Sequence, residues 1–115
     1  MIRYCAIFLF TVLIGGCQAK DLAPPPQQEG GKTVQVSIVK FKFVPEDITI
    51  NKGDTVIWIN QESRQYHSVW FEQLGLAESD YLFPGESYSQ KFDAEGIFPY
   101  RCGPHPEMLG TVRVK

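Results

Sequence analysis

The sequence predicts an all-β domain, an antiparallel sandwich or barrel, over residues 32–115. Short segments in which apolar and polar residues alternate recur along this part of the chain, as in Thr-Val-Gln-Val-Ser-Ile-Val at 33–39. Turn-forming residues separate these segments, for example Asn-Lys-Gly-Asp at 51–54 and Pro-Gly at 84–85. No segment has a sustained period of 3.6 residues, so a helical domain is not expected. The eight Phe, five Tyr and two Trp residues supply the large side chains that a sandwich core needs.

The alternating segments predict strands at residues 33–39 with an extension through 44, and at 47–50, 55–60, 66–71, 87–92, 97–102 and 111–114. Residues 72–83 have mixed polarity and predict a long connection with one helical turn. Proline followed by glycine at 84–85 predicts a tight turn in which Gly85 has a positive φ. Pro99 lies inside a predicted strand but cannot donate a ladder hydrogen bond, so this strand is expected at a sheet edge or a bulge.

Residues 1–16 have the pattern of an export signal. Arg3 precedes an apolar run at 4–14, which is shorter than the roughly 20 residues of a membrane-spanning helix. The residues Leu-Ile-Gly-Gly-Cys at 13–17 resemble the lipobox of bacterial lipoproteins, which implies that Cys17 is lipidated and becomes the N-terminus. Such an anchor would hold the protein in the periplasm or on the outer face of the cytoplasmic membrane. An ordinary signal peptide with an unmodified Cys17 is the alternative.

Residues 17–31 predict a flexible linker between this anchor and the β domain. They contain three consecutive prolines followed by Gln and Gly, and almost no residue that a core could bury. The chain therefore divides into a signal peptide at 1–16, a linker at 17–31 and one folded domain at 32–115.

The charge and the cysteine count restrict the function further. The 11 basic and 13 acidic residues are nearly balanced and form no basic cluster, so nucleic acid is not an expected partner. Cys5 lies in the signal and Cys17 at its end, so the domain contains only Cys102 and no internal disulfide. A single thiol in an oxidising compartment is reactive unless it is occupied, and a bound metal would occupy it.

Candidate metal donors cluster near the C-terminus. Cys102, His105 and Met108 follow one another at intervals of three residues, and His67 is the only other histidine. Thiolate and thioether sulfur suit Cu(I), and imidazole suits both oxidation states of copper. One Cys, two His and a weak axial Met form a blue-copper electron-transfer site.

Each donor also has an ordinary structural interpretation. Met108 is equally compatible with a core side chain, His67 with a structural histidine, and Cys102 with a small buried hydrophobe. The Cys-x-x-His pair alone is compatible with zinc, although Met is a poor zinc ligand. Pro104 and Pro106 favour the metal site, because they stiffen the loop and leave the donors little freedom to lose.

The domain resembles the cupredoxins, most closely the amicyanin type, with plastocyanin and pseudoazurin as relatives. The motifs that carry the resemblance are Gly-Asp-Thr-Val-Ile-Trp-Ile-Asn at 53–60, His67 before an apolar pair, Pro-Gly-Glu-Ser-Tyr at 84–88, and Cys-Gly-Pro-His-Pro-Glu-Met at 102–108. The two residues between His105 and Met108 match the short loop of amicyanin. The resemblance implies a Greek-key β-sandwich that holds one copper ion, with His67, Cys102 and His105 as equatorial ligands and Met108 as the axial ligand.

The same resemblance implies a monomeric single-electron carrier and not an enzyme. Its expected partners are redox proteins such as a c-type cytochrome or a dehydrogenase, which would dock on an apolar patch around His105. The acidic residues Glu72, Glu78, Asp80 and Glu107 would either steer a basic partner or form a merely solvated surface. One departure from the family is Ser68, where many members carry Asn beside the first histidine.

Three other functions are weaker interpretations. A module for copper sequestration or delivery is the main alternative, but the chain has no Met-rich or His-rich tract. A copper enzyme would need a second metal centre or an open position, and no histidine is left to build either. A metal-free adhesion sandwich would not need the four donors.

Overall fold

The structure is a computed structural model that describes residues 31–115. Residues 1–30 lie outside the described residues. The signal peptide at 1–16, the lipidation of Cys17 and the linker that begins there therefore stay predictions. Within residues 31–115, no helix has the length and apolar character needed to cross a membrane.

Seven strands and one 3-10 turn form the described domain. The strands are β1 (Thr33–Val39), β2 (Lys42–Val44), β3 (Asp47–Ile50), β4 (Thr55–Asn60), β5 (Ser87–Lys91), β6 (Gly96–Arg101) and β7 (Leu109–Val114). A 3-10 helix at Glu72–Leu74 provides the helical turn that was predicted between β4 and β5. The prediction of an all-β fold is confirmed.

The strands form two sheets, in the orders β2-β1-β4-β5 and β3-β7-β6. The chain passes from the first sheet to the second after β2, returns after β3, and passes over again after β5. These crossings place β1 beside β4 and β3 beside β7 in parallel, whereas the other neighbours are antiparallel. The predicted sandwich is therefore confirmed, but both of its sheets are mixed and not purely antiparallel.

The core lies between the two sheets. Trp58 of β4 and Tyr100 of β6 meet edge to face, with ring centroids 5.4 Å apart. Every second residue of β4 is buried, as the alternating sequence predicts for a strand with one face on the core. Burial of these apolar side chains supplies the main driving force for folding.

The strand predicted at 66–71 does not form. This part of the chain makes only two isolated bridges, His67 with Leu82 and Trp70 with Arg101. Between them, the backbone N–H of Ser68 donates to Cys102 Sγ, at 3.4 Å, and that of Val69 donates to Ser79 Oγ, at 2.9 Å. Because side chains accept these hydrogen bonds in place of a neighbouring strand, the segment is an irregular connection near the metal donors.

Two local predictions are confirmed. Gly85 has φ 88°, and Glu86 N donates to Phe83 O at 2.9 Å, which closes the turn predicted at 84–85. Pro99 lies in β6, which forms an edge of its sheet, so its missing N–H interrupts no ladder.

Candidate metal centre

Three of the predicted donors lie on the loop that joins β6 to β7. Arg101 and Leu109 form the last pair of this hairpin, so residues 102–108 connect two adjacent strands. Cys102 N donates to Met108 O at 3.0 Å, and Met108 N donates to His105 O at 2.9 Å. These two backbone hydrogen bonds fold the loop on itself and bring Cys102, His105 and Met108 to one end of the sandwich.

The fourth donor, His67, comes from the long connection between β4 and β5. Its backbone exchanges two hydrogen bonds with Leu82, of 3.1 and 2.7 Å, and its side chain is fully buried. The bridge to Leu82 therefore fixes the backbone of His67, although no strand forms around it.

Cys102 lies between the two histidines. Its Sγ is 3.6 Å from His67 Nδ1 and 3.5 Å from His105 Nδ1. The three donor atoms lie within 4.8 Å of one another. Met108 is also buried, with 5% of its surface exposed, whereas His105 is partly exposed. The structure thus brings the four predicted site residues to one place in the arrangement of a type 1 copper site.

Burial favours the neutral forms of Cys102 and His67. It raises the pKa of the Cys102 thiol, and hydrogen bonds from Ser68 oppose this shift only in part. Burial also lowers the pKa of His67, against the opposing effect of Glu62. A neutral imidazole can bind a metal at once, whereas the thiol must lose its proton on binding.

A carboxylate orients the His67 ring. Glu62 Oε1 accepts a hydrogen bond from His67 Nε2, at 3.3 Å, and another from the backbone N–H of Phe41, at 2.7 Å. Burial works to raise the pKa of Glu62, but these hydrogen bonds outweigh it and the pKa is lowered. With its proton held on Nε2, His67 presents a free lone pair on Nδ1, toward Cys102.

Ser68 joins the two connections that carry the donors. Its hydroxyl accepts a hydrogen bond from Gly103 N and donates one to Glu78 Oε1, both at 2.8 Å. Ser68, which stands where many family members carry Asn, thus links the connection that holds His67 to the loop that holds Cys102. Glu78 is part of this link, a role that the sequence did not predict, since it indicated only an acidic residue that would steer a partner or be solvated.

The acidic residues that were considered for steering a partner differ in their surroundings. Glu78 is partly buried against Ser68, and Glu72 binds the guanidinium of Arg101, so neither is a free surface charge. Asp80 and Glu107 are exposed. Glu72 and Glu78 therefore make contacts within the protein, and the structure does not support a role for them in steering a partner.

Exposed aromatic residues flank His105, as the predicted apolar surface requires. We call Phe41, Tyr66, Tyr81 and Phe83 the aromatic patch; each has 39–53% of its surface exposed. Phe41 meets His105 edge to face, with ring centroids 5.0 Å apart, and Tyr66 lies 6.5 Å from His105. Tyr66 also contacts Tyr81 and Phe83, at 5.0 and 5.7 Å. The sequence predicted an apolar patch but did not identify these four side chains, because Phe41 comes from the turn between β1 and β2 and the other three come from distant positions in the connection between β4 and β5.

Comparison with known proteins places the chain in a family. Residues 31–115 match the copper binding proteins of the plastocyanin/azurin family. Amicyanin of Paracoccus versutus is 32% identical over 123 residues, which cover 96% of this chain and 91% of that protein. Plastocyanin of Scenedesmus fuscus is 39% identical over 84 residues, covering 64% of this chain and 86% of that protein.

Solved structures agree with this result. The crystal structure of amicyanin from Paracoccus versutus aligns with a TM-score of 0.66 and 31% identity, covering 72% of this chain and 81% of that one. The resemblance to amicyanin that the ligand loop indicated is confirmed, and the donor set of thiol, imidazoles and thioether fits the metal that the family binds. The chain therefore belongs to the plastocyanin/azurin family of copper binding proteins.

Proposed function

We propose that this protein is a single-electron carrier in which His67, Cys102, His105 and Met108 hold one copper ion. The observation that carries the proposal is the position of the buried Cys102 sulfur, within 3.6 Å of Nδ1 of both histidines. A bound copper ion supplies a centre that alternates between Cu(II) and Cu(I). The axial Met108 favours copper over zinc, for which thioether sulfur is a poor ligand.

The surroundings of the donors suit electron transfer because they resist rearrangement. His67 is held by Glu62, Cys102 by Ser68, and the loop by its own backbone hydrogen bonds. A donor set that is fixed before the metal binds changes little in geometry between the two oxidation states, and this lowers the cost of each transfer.

His105 is the proposed point of electron entry and exit. It is the one partly exposed imidazole of the site, and Phe41 and Tyr66 of the aromatic patch lie beside it. Exposed aromatic side chains allow close and short-lived docking of another redox protein, such as a c-type cytochrome or a dehydrogenase. We further propose that the protein acts as a monomer and has no catalytic activity of its own.

The proposed location is the periplasm or the outer face of the cytoplasmic membrane, with a lipid anchor on Cys17. This rests on the sequence of residues 1–17 and on the linker that follows. Copper sequestration or delivery is the alternative function. It requires ready exchange of the ion, and the full burial of His67 and Cys102 argues against it.

The test is an optical and EPR titration of residues 31–115 with Cu(II). We expect an intense visible band of thiolate-to-copper charge transfer, bleached by one electron per protein and absent in Cys102→Ala. Slow loss of copper to a chelator in both oxidation states would separate a carrier from a delivery module. A colourless protein, or one with only an ordinary tetragonal Cu(II) signal, would refute the electron-carrier function.

A further inference from the structure

The carboxylate of Glu78 lies near the Cys102 thiol but is not one of the four metal donors. Glu78 belongs to the connection between β4 and β5, and its Oε1 accepts the hydroxyl proton of Ser68 at 2.8 Å. Ser68 in turn contacts the donor loop twice, through its N–H to Cys102 Sγ at 3.4 Å and through its Oγ from Gly103 N at 2.8 Å. One residue thus separates the Glu78 charge from the sulfur.

The space above Gly103 shows how closely this carboxylate approaches the donor loop. A Cβ atom added to Gly103 would collide with Glu78 Oε1, and would lie 2.6 Å from Glu78 Cδ and 2.9 Å from Ser68 Oγ. The carboxylate therefore occupies the place of a side chain at the residue next to Cys102. Any residue other than glycine at 103 would displace it.

The charge of Glu78 is not cancelled by an ion pair within residues 31–115. The guanidinium of Arg101 binds Glu72 through Nε and the carbonyl oxygens of Cys102 and Gly103 through Nη1, and it forms no ion pair with Glu78. Because Glu78 Oε1 and Cys102 Sγ both contact Ser68, the carboxylate charge lies close to the sulfur.

An ionised carboxylate can only accept hydrogen bonds, so it also determines which hydrogen bonds the Ser68 hydroxyl donates and accepts. The Ser68 hydroxyl must give its proton to Glu78, and its lone pairs are then free to accept Gly103 N–H. Glu78 consequently orients the Ser68 hydroxyl, which bridges the two donor connections.

We propose that Glu78 is a positioning residue whose negative charge stabilises the oxidised over the reduced copper centre and so lowers its reduction potential. This rests on the copper-carrier function proposed above. Adding an electron lowers the charge of the site by one, and a nearby negative charge opposes that change. Because Glu78 is only partly buried, water weakens the interaction but does not abolish it.

The test compares the reduction potential of the copper-loaded full chain with that of Glu78→Gln, which keeps the shape and a hydrogen-bond acceptor but removes the charge. We expect the potential to rise by an amount equal to about a tenfold change in the equilibrium constant for reduction, which is about 59 mV for one electron. The shift should shrink at high salt. Glu78→Asp, which keeps the charge, should retain most of the original potential.

Glu95→Gln is the matched control. Glu95 is an exposed glutamate before Gly96, at the end of β6 opposite Arg101 and the donor loop, and its replacement should leave the potential unchanged. Equal potentials in Glu78→Gln and Glu95→Gln would overturn the inference. So would equal shifts in Glu78→Gln and Glu78→Asp, or a lower Tm of the copper-free variants with no change in potential, because these results would assign Glu78 to packing.

The two proposals fail in different ways. If the unmodified protein forms no blue copper centre, the carrier function is refuted and this inference with it. If the unmodified protein is blue and Glu78→Gln does not change its potential, only the inference is refuted.

Discussion

The two connections that supply the metal donors are built differently. The loop at 102–108 joins adjacent strands and is closed by its own backbone hydrogen bonds, so it places three donors by local geometry. The connection at 61–86 is much longer and depends on buried polar side chains, among them Asn60 and Ser68, to place His67. Spacing along the chain therefore specifies one part of the site, and tertiary hydrogen bonds specify the other.

The largest effect is expected from removing the anchor of the long connection. Asn60 is 1% exposed, and its amide donates to Gln65 O and Leu82 O at 2.8 Å and accepts from Glu62 N at 2.9 Å. Asn60→Ala leaves Glu62 N and Gln65 O without this partner and leaves Leu82 O with only its hydrogen bond from His67 N, so we expect a loss of about 3 kcal/mol in the free energy of unfolding. Denaturant unfolding of the copper-free protein measures it.

Asn51→Ala is the control for this variant, because Asn51 is an exposed asparagine in a turn. We expect it to change stability by less than about 0.5 kcal/mol. Equal losses in the two variants would show that the long connection does not depend on the Asn60 amide.

The second prediction concerns the orientation of the two imidazoles. His67 donates to Glu62, whereas His105 lies in the short loop and is flanked by aromatic rings. Glu62→Gln removes the charge that holds the His67 ring, and we expect copper affinity to fall by about 10- to 100-fold. Competition with a chelator of known affinity measures this change.

Glu107→Gln is the corresponding change in the short loop. Glu107 is exposed beside Met108, and we expect copper affinity to stay the same when its charge is removed. Equal weakening by both variants would instead indicate a general effect of charge near the site.

The same contrast explains which features could be predicted from the sequence. Cys102, His105 and Met108 are close in the chain, so their convergence follows from the length of the loop. The alternation of β4 and the turn at Gly85 are also local and were predicted correctly. Local patterns carry this information because neighbouring residues alone decide these conformations.

Features that depend on distant residues were missed. Residues 66–71 were predicted as a strand, but the N–H groups of Ser68 and Val69 bind the side chains of Cys102 and Ser79 instead of a neighbouring strand. The roles of Glu62 and Glu78 were also not predicted, because each contacts residues that the fold brings from elsewhere. Hydrogen bonds between distant side chains leave no periodic trace in the sequence.

The third prediction is a pH dependence of the copper-free protein. Burial lowers the pKa of His67 from its ordinary value of 6.5, so the folded state keeps the ring neutral while the unfolded chain takes up a proton. Stability present above pH 6.5 should thus be lost as the pH falls through the lowered pKa, by at most about 1.4 kcal/mol per pH unit. Denaturant unfolding of the copper-free protein at successive pH values tests it. The slope should be smaller in His67→Gln, and the same slope in both proteins would assign it to other groups.

The smallest effect is expected at the turn between β1 and β2, which contacts both connections. Lys40 and Phe41 have φ of 54° and 57°, a left-handed conformation that costs a residue with a side chain about 1 kcal/mol. Lys40→Gly removes this cost at an exposed position, so we expect a gain of about 0.5–1 kcal/mol in the free energy of unfolding and no change in the visible spectrum.

Phe41→Gly relieves the same backbone strain but removes a ring that packs edge-on against both His67 and His105, with centroids 5.5 and 5.0 Å away. We expect this variant to lose stability and to shift the charge-transfer band, because the ring restrains both imidazoles at once. If Phe41→Gly were as stable and as unaltered in spectrum as Lys40→Gly, the two connections would be held in register by their hydrogen bonds alone. A difference between the two variants would instead show that the strained turn is retained because it places this ring.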